Sequence, residues 1–194
     1  MGRLLLAILL GVALALVIGW LLFARPTRSI DPRGTPRAAG ATGAAAETRR
    51  IKATLFYVAE DGTRLMPVER EVPYAADPVA QALALVQELV KPVEAPYAQA
   101  IPEGTTVRAL FITDRGDAYV DLSPEASTKH PGGSLDELFT VYAIVNTITV
   151  NLPAVQRVQI LVDGKEVDTL AGHIDLRRPL AKNLSWAEAA GGTD

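Results

Sequence analysis

Residues that commonly do chemistry are few in this chain, which narrows its catalytic options. The sequence has no cysteine and two histidines, His130 and His173. The lack of cysteine excludes disulfides, thiolate metal sites, a cysteine nucleophile and a lipid-bearing cysteine, and two histidines are too few for a multi-histidine metal cage. A hydrolytic set of Ser134, His173 and Asp175 is conceivable, but no G-x-S-x-G elbow surrounds the serine. We therefore predict no catalytic, metal-binding or cofactor-binding residues.

Three polar residues have structural interpretations that we favour over a ligand site. His130 lies in a short loop before Pro131, where an exposed histidine is expected. His173 is expected to make a structural hydrogen bond from its ring to a backbone or carboxylate group. Asn146 interrupts a long apolar helix face, and an unpaired buried amide there would cost roughly 1–3 kcal/mol. We therefore predict that its side chain bonds to neighbouring backbone.

Two further patterns are typical of ligand sites but fit them poorly. Asp114, Asp117 and Asp121 are spaced through a predicted hairpin, unlike a calcium loop, which needs about twelve residues with glycine at the sixth position. Gly132 and Gly133 precede a predicted helix and could cradle an anion at its start. No lysine follows at the position that a phosphate-binding loop requires, so we interpret the glycine pair as a chain break before the helix.

The N-terminal part of the sequence predicts a membrane anchor. After a short flank at residues 1–3, residues 4–23 form an uncharged apolar run, and about 20 helical residues span a ~30 Å hydrocarbon core. A cleaved signal peptide has a shorter apolar core with a small-residue site close behind it. This run instead ends at Phe23 and is followed by Arg25 and Pro26. We therefore expect an uncleaved, single-pass anchor.

Residues 24–50 are predicted to be a disordered linker, because Ile30 is their only large aliphatic residue. The linker is rich in arginine, and the positive-inside rule taken alone would place the rest of the chain in the cytoplasm. Residues 51–194 carry twenty acidic and twelve basic residues. This acidic balance argues against nucleic acid as a partner, since phosphate binding needs a basic face.

The remaining sequence predicts one globular domain at residues 51–180 and a flexible tail at 181–194. Apolar periodicity and turn residues predict the following elements: strands at 51–58 and 65–72, a helix from Asp77 to Pro92, a loop at 91–105, a hairpin at 106–113 and 118–123, a helix from Ser134 to about Leu152, a strand at 155–162 and a hairpin into 165–167. The strand at 65–72 is expected at an edge. This order predicts an α+β fold, a mixed sheet with two main helices packed on one face.

The second of the two predicted helices is expected to form the centre of the domain. Ser134 and Glu137 have the spacing of a capping box, in which the serine caps the helix and the glutamate folds back onto it. Leu138, Tyr142 and Val145 share an apolar face at helical spacing. We predict that this face packs into the core.

A set of residues across the domain resembles a known family. It comprises Leu55–Tyr57, Ile101-Pro-x-Gly104-Thr105, Val120–Leu122, Gly132–Ser134, Glu137, Tyr142–Thr147, Val158–Val162, Gly164, Leu170–His173, Asp175-Leu176 and Pro179-Leu180. Over about residues 52–180, this pattern resembles the GerMN (sporulation and spore germination) domain. The resemblance implies a fold similar to the small α/β ring-building modules of secretion assemblies. It also implies a bacterial, extracytoplasmic protein held by a lipid or a membrane helix.

Two function classes remain open. The first is a membrane-anchored, extracytoplasmic, non-catalytic binding or assembly module of the bacterial cell envelope, without a cofactor. Its partners would be other envelope proteins or a second copy of the chain. The contacts are expected at residues 65–75 or 91–105. Residues 4–23 would anchor the protein in the membrane. The alternative is a cell-wall hydrolase or carbohydrate-binding protein, and a hydrolase would need a cleft with paired carboxylates. No such pair is evident in the sequence.

Overall fold

The computed structural model describes residues 49–187. The predicted anchor at 4–23, residues 24–48 of the predicted linker and residues 188–194 lie outside this range. Among the described residues, no helix combines the length and the apolar character needed to cross a bilayer.

The first structural unit is a two-stranded antiparallel sheet. β1 spans Arg50–Val58 and β2 spans Leu65–Pro73, with Leu55 opposite Val68. In the turn between them, the side chain of Asp61 accepts a hydrogen bond from the N–H of Thr63 at 3.1 Å. Aspartate commonly organises turns through such bonds. The two strands predicted at 51–58 and 65–72 are therefore confirmed.

The rest of the domain is built around a five-stranded sheet. The elements are α1 (Pro78–Leu89), β3 (Val107–Ile112), β4 (Asp117–Leu122), α2 (Glu125–Thr128), α3 (Ser134–Asn151), β5 (Arg157–Val162), β6 (Lys165–Glu166) and β7 (Leu180–Ala181). β3 and β4 form the predicted hairpin, β4 runs parallel to β5, and β6 and β7 pair antiparallel with β5. Parallel strands need a crossover connection, and α2 and α3 supply it.

The mixed α+β class is confirmed, but the strands form two sheets rather than one. The outer edge of β1 is closed by α3 and by a loop, so no further strand can join it. Asn151 Oδ1 accepts from the N–H of Thr54 at 2.9 Å, and Thr147 Oγ1 accepts from the N–H of Phe56 at 3.2 Å. Val58 exchanges two backbone hydrogen bonds with Ala98. Long-range side-chain bonds of this kind leave no periodic pattern in the sequence.

Helix α3 is buried on several sides, whereas an amphipathic helix would be buried on one side only. Of the predicted face, Val145 is fully buried, whereas Leu138 and Tyr142 are only half-buried. Phe139 and Ile148 belong to the largest fully buried side chains. The reason is that α3 packs against β1, α1 and β5. A helix covered on several sides carries apolar residues on several sides.

The predicted capping box at the start of α3 is wrong. The N-cap residue is Gly133, with φ of 90°, and no side chain caps the helix. Ser134 is exposed, while the side chain of Glu137 is fully buried. The glutamate cannot fold back onto the helix start, because its carboxylate is bound to a distant loop described below.

The predicted tail also differs from the structure, because residues 181–187 are bound to the domain. Asn183 exchanges two hydrogen bonds with Asn146 on α3, at 2.8 and 3.0 Å. The N–H of Leu65 on β2 donates to the carbonyl of Trp186 at 2.8 Å. These partners are far away in the sequence, so local composition could not indicate them.

Candidate functional site

A groove of about 810 Å³ opens beside the long loop that follows α1. Ligand sites commonly have volumes of about 300–1,000 Å³. We call it the loop groove, and it is lined by Val58, Val90–Val93, Gln99–Thr106, Lys129, Pro131, Asp136, Phe139 and Thr140. The loop therefore supplies one wall, and the start of α3 with the segment before it supplies the other.

The lining of the loop groove is mainly apolar, with exposed charges of both signs. Lys91 is engaged by Glu88 at 2.5 Å. The Nζ atom of Lys129 lies over Gly104, where an added Cβ would approach it to 3.1 Å. The acidic groups are Glu103 and Asp136. An apolar surface with balanced charge suits an apolar ligand or protein segment better than a highly charged one.

Two oxygen atoms in the groove wall have no hydrogen-bond partner among residues 49–187. They are Gln99 Oε1 and Thr105 Oγ1. The amide of Gln99 is fixed in orientation, because its Nε2 donates to the carbonyl of Leu89 at 2.7 Å. Each unpaired buried polar atom costs roughly 1–3 kcal/mol. These two oxygens are therefore acceptors that no described residue satisfies.

His130 joins the two walls of the groove through a chain of hydrogen bonds. Its Nδ1 accepts from the N–H of Gly132 at 3.1 Å, which places the ring proton on Nε2. Nε2 then donates to Thr140 Oγ1 at 3.1 Å, and the hydroxyl donates to the carbonyl of Ala100 at 2.5 Å. Burial lowers the pKa of His130, and nearby carboxylates offset only part of the effect. The predicted exposed loop residue is instead a half-buried cross-link.

Glu137 occupies a cradle of backbone N–H groups. Its Oε1 accepts from Leu170 and Ala171 at 2.7 and 2.9 Å, and its Oε2 accepts from the N–H of His173 at 2.7 Å. Nδ1 of His173 lies 3.2 Å from the same Oε2. Burial by itself raises the pKa of Glu137, but these hydrogen bonds outweigh it and hold the pKa below its usual value. The predicted structural hydrogen bond of His173 is thereby confirmed.

The conceivable hydrolytic set is not assembled. The carboxylate of Asp175 is bound by the guanidinium of Arg177 at 2.7 and 2.9 Å, and these bonds lower the pKa of Asp175. The ring of His173 faces Glu137 instead. Ser134 is exposed at the first position of α3. Nucleophile, base and orienting acid therefore have no shared geometry.

The acidic residues of the β3–β4 hairpin support the sheet. Asp117 accepts from Arg157 Nε at 2.7 Å, and Asp121 accepts from the N–H of Gly164 at 2.8 Å. Within residues 49–187, no three His, Asp or Glu side chains are grouped to hold a metal ion. The N–H of Gly132 is already used by His130. The glycine pair before α3 thus serves as a chain break.

Asn146 fits its prediction closely. The side chain is fully buried, its Nδ2 donates to the carbonyl of Asn183, and its Oδ1 accepts from the N–H of the same residue. The amide therefore joins α3 to the segment after β7.

The sequence predicted a contact surface at the 91–105 loop, but it did not indicate which individual residues line the groove. The available indication was its length, because loops of more than about twelve residues are usually functional or disordered. Gln99, Thr105 and Thr140 could not be singled out, since their relevance depends on bonds that are made or missing across the groove.

The described residues form a small α+β domain with an apolar groove and with carboxylates that are bonded internally. The chain belongs to the Germane family, described as sporulation and spore germination, which matches residues 54–168. The GerMN resemblance is thereby confirmed. A search of curated proteins gives no match.

Three solved structures share the fold. A predicted lipoprotein from Clostridium perfringens is 26% identical with a TM-score of 0.50, over 69% of this chain and 88% of that one. The first GerMN domain of the sporulation protein GerM from Bacillus subtilis is 19% identical with a TM-score of 0.51, over 69% and 96%. The tandem GerMN domains of that protein give 20% identity and a TM-score of 0.55, over 74% and 51%. The described domain thus corresponds to one GerMN copy.

Proposed function

We propose that this protein is a membrane-anchored, extracytoplasmic module of the bacterial cell envelope that works by binding and not by catalysis. The loop groove carries the proposal. It is an apolar concavity of about 810 Å³ whose wall contains unpaired polar atoms. In contrast, two members of the conceivable hydrolytic set are engaged elsewhere, since the ring of His173 lies against Glu137 and the carboxylate of Asp175 is bound by Arg177.

The anchor and the linker predicted from the sequence support a role beside the membrane. The apolar run at 4–23 is long enough to span a bilayer, and a flexible chain with the length of the predicted linker would reach about 25–30 Å. Tethering raises the effective concentration of the domain for its neighbours. The acidic body is repelled by anionic lipid, so it stands away from the surface.

The comparisons support an extracytoplasmic location and a role related to sporulation or spore germination. The Clostridium perfringens relative is a predicted lipoprotein, and the family description refers to sporulation and spore germination. We therefore propose that the domain lies outside the cytoplasm, with other envelope proteins or a second copy of the chain as partners. The linker arginines are then an exception to the positive-inside rule, which is statistical.

A topology reporter tests this location. Alkaline phosphatase needs an oxidising compartment for its disulfides. A fusion after residue 50 is expected to be active in cells, and a cytoplasmic reporter at the same point is expected to be inactive. The reverse pattern would place the domain in the cytoplasm and overturn the proposal.

A further inference from the structure

The long strands of the domain have protected edges, with one exception. The outer edge of β1 is closed by Asn151, Thr147 and Ala98. The outer edge of β2 carries two residues without an N–H, Pro67 and Pro73, and its first residue is bonded to Trp186. Prolines and covered edges are the usual means of preventing strand addition.

Among the described residues, the outer edge of β3 has no proline and no hydrogen-bonded cover, and a register shift between Val107 and Ala109 lies near its start. Its sequence, VRALFI, contains no proline or glycine and a single charge. The N–H of Thr113 donates to the carbonyl of Asp117, so by alternation Phe111 and Ala109 also bond to β4. The N–H and C=O groups of Leu110 and Ile112 then point away from β4. Among residues 49–187, no backbone or side-chain group bonds to them.

Exposure gives a second, independent indication. One of the six residues of β3 is buried, whereas five of the six residues of the neighbouring β4 are buried. The side chain of Phe111 is 60% exposed, the highest value among the exposed large hydrophobic residues of the described chain. A free, apolar strand edge beside an exposed aromatic ring is a template for β-strand addition.

We propose that β3 pairs antiparallel with β3 of a second copy of this chain, about a two-fold axis at Leu110. The proposal deepens the proposed function by naming a partner, and it does not depend on the loop groove. In this register Leu110 faces its own copy as a hydrogen-bonded pair, and Ile112 faces Arg108 of the second copy. The N–H and C=O groups of the two facing Leu110 residues are then paired, and Ile112 meets the second copy next to its register shift at Arg108.

The sequence of β3 is complementary to itself in this register. Ala109 of one copy lies opposite Phe111 of the other, so a small side chain meets a large one on the exposed face. The single charge of the strand, Arg108, lies at opposite ends in the two copies and does not meet its equivalent. Arg108 is also neutralised within its own chain by Asp121 and Asp163. A two-fold contact of this kind is closed and gives dimers, not filaments.

Hydrogen exchange on the full chain in lipid nanodiscs tests the pairing without any substitution. Nanodiscs that hold one copy and nanodiscs that hold two copies are compared. The amides of Ala109 and Phe111 are expected to be protected in both, because they bond to β4. The amides of Leu110 and Ile112 are expected to gain protection of about 100-fold in the two-copy discs alone. Equal exchange in both preparations, whether fast or slow, would overturn the proposal.

Disulfide trapping tests the register in cells. Because the natural chain has no cysteine, introduced thiols are unambiguous. Two differently tagged full-length chains, one with Ala109→Cys and the other with Phe111→Cys, are co-expressed and oxidised. Opposed residues in a non-hydrogen-bonded pair have Cα atoms about 4.5 Å apart, within disulfide reach. Each single variant places its two thiols roughly 8 Å apart by Cα, beyond that reach.

The expected result is a mixed-tag dimer at least about tenfold above either single variant. The matched control uses the protected edge of β2, with Val68→Cys on one chain and Arg70→Cys on the other, and should give no such dimer. Trapping that does not exceed this control contradicts the pairing. Failure of the topology test leaves this result unaffected, so the two proposals are tested separately.

Discussion

The carboxylate of Glu137 receives the backbone N–H of His173 at 2.7 Å, although the two residues are 36 positions apart. Together with the N–H groups of Leu170 and Ala171, this bond fixes the loop after β6 to the first turns of α3. A buried charge that is fully hydrogen-bonded holds a structure together, and removal of its charge leaves several donors unpaired.

Replacement of this carboxylate tests its structural role. Glu137→Gln is expected to lower the free energy of unfolding by about 2–4 kcal/mol, because an amide cannot accept at both positions. Urea unfolding of the full chain in detergent micelles, followed by near-ultraviolet circular dichroism, measures the change. Asp136→Asn is the matched control, since Asp136 is the exposed acidic neighbour, and should change the free energy by less than about 0.5 kcal/mol. Equal effects of the two variants would contradict the claim that the bonds of the Glu137 carboxylate to backbone N–H groups stabilise the fold.

Two of the groups with a lowered pKa, His130 and Glu137, predict losses of stability in separate pH ranges. The pKa of His130 is lowered by burial, so the unfolded chain binds the proton more readily, and stability falls as the pH drops below about 6.5. The pKa of Glu137 is also lowered. Its contribution is complete above about 4.3 and is lost as the pH falls further through the folded pKa.

Single variants separate these two ranges. His130→Ala should remove the loss of stability that begins below about pH 6.5, and Glu137→Gln should reduce the loss below about pH 4.3. Unfolding free energies of the full chain, measured at intervals from neutral to acid pH, provide the comparison. An unchanged slope near pH 6 in His130→Ala would contradict the hydrogen-bond chain through Thr140.

Asn146 is expected to control the segment that follows β7. Asn146→Ala removes both bonds to Asn183, and it should lower the free energy of unfolding by about 1–3 kcal/mol. Amides of residues 183–187 should also exchange faster, while those of β4 stay protected. Slow exchange in this segment would show that other contacts hold it.

The true core face of α3 can be tested with neighbouring residues. Phe139 is 1% exposed, so Phe139→Ala is expected to cost about 3–5 kcal/mol. Leu138→Ala should cost less, because Leu138 is half-buried. Ser134→Ala should cost less than about 0.5 kcal/mol, since no side chain caps the helix. If Ser134→Ala or Leu138→Ala lowered the free energy of unfolding more than Phe139→Ala, the burial described here would be contradicted. The amphipathic face and the capping box predicted from the sequence would then be correct.

These variants also mark what the sequence could predict. Local chemistry was sufficient for the strands at 50–58 and 65–73 and for the start of α1 at Asp77, whose side chain accepts from the N–H of Ala80. Asn146 was predictable because a polar residue on an apolar helix face must find a partner. In each case the relevant groups lie within a few residues of one another, or the requirement itself is local.

The errors share a physical cause, which is competition from distant groups. Glu137 had a local capping role available, but the N–H groups at 170–173 bind its carboxylate instead. Thr147 and Asn151 close the edge of β1 from about 90 residues away, which separates the two sheets. His130 was expected to be exposed, and its environment depends on Thr140 and Ala100. Such bonds are decided by tertiary packing and not by spacing.

Photo-crosslinking in living cells tests the central claim, that the domain binds a partner at the loop groove. A benzophenone amino acid at Glu103, on the groove, is compared with one at Glu60, which is exposed in the β1–β2 turn. We expect a discrete crosslinked product from position 103 and none from position 60. The product should disappear when Val93→Trp fills the groove. If position 103 gives no crosslink, or if the product is unchanged in the Val93→Trp variant, the claim that a partner binds at the loop groove is contradicted.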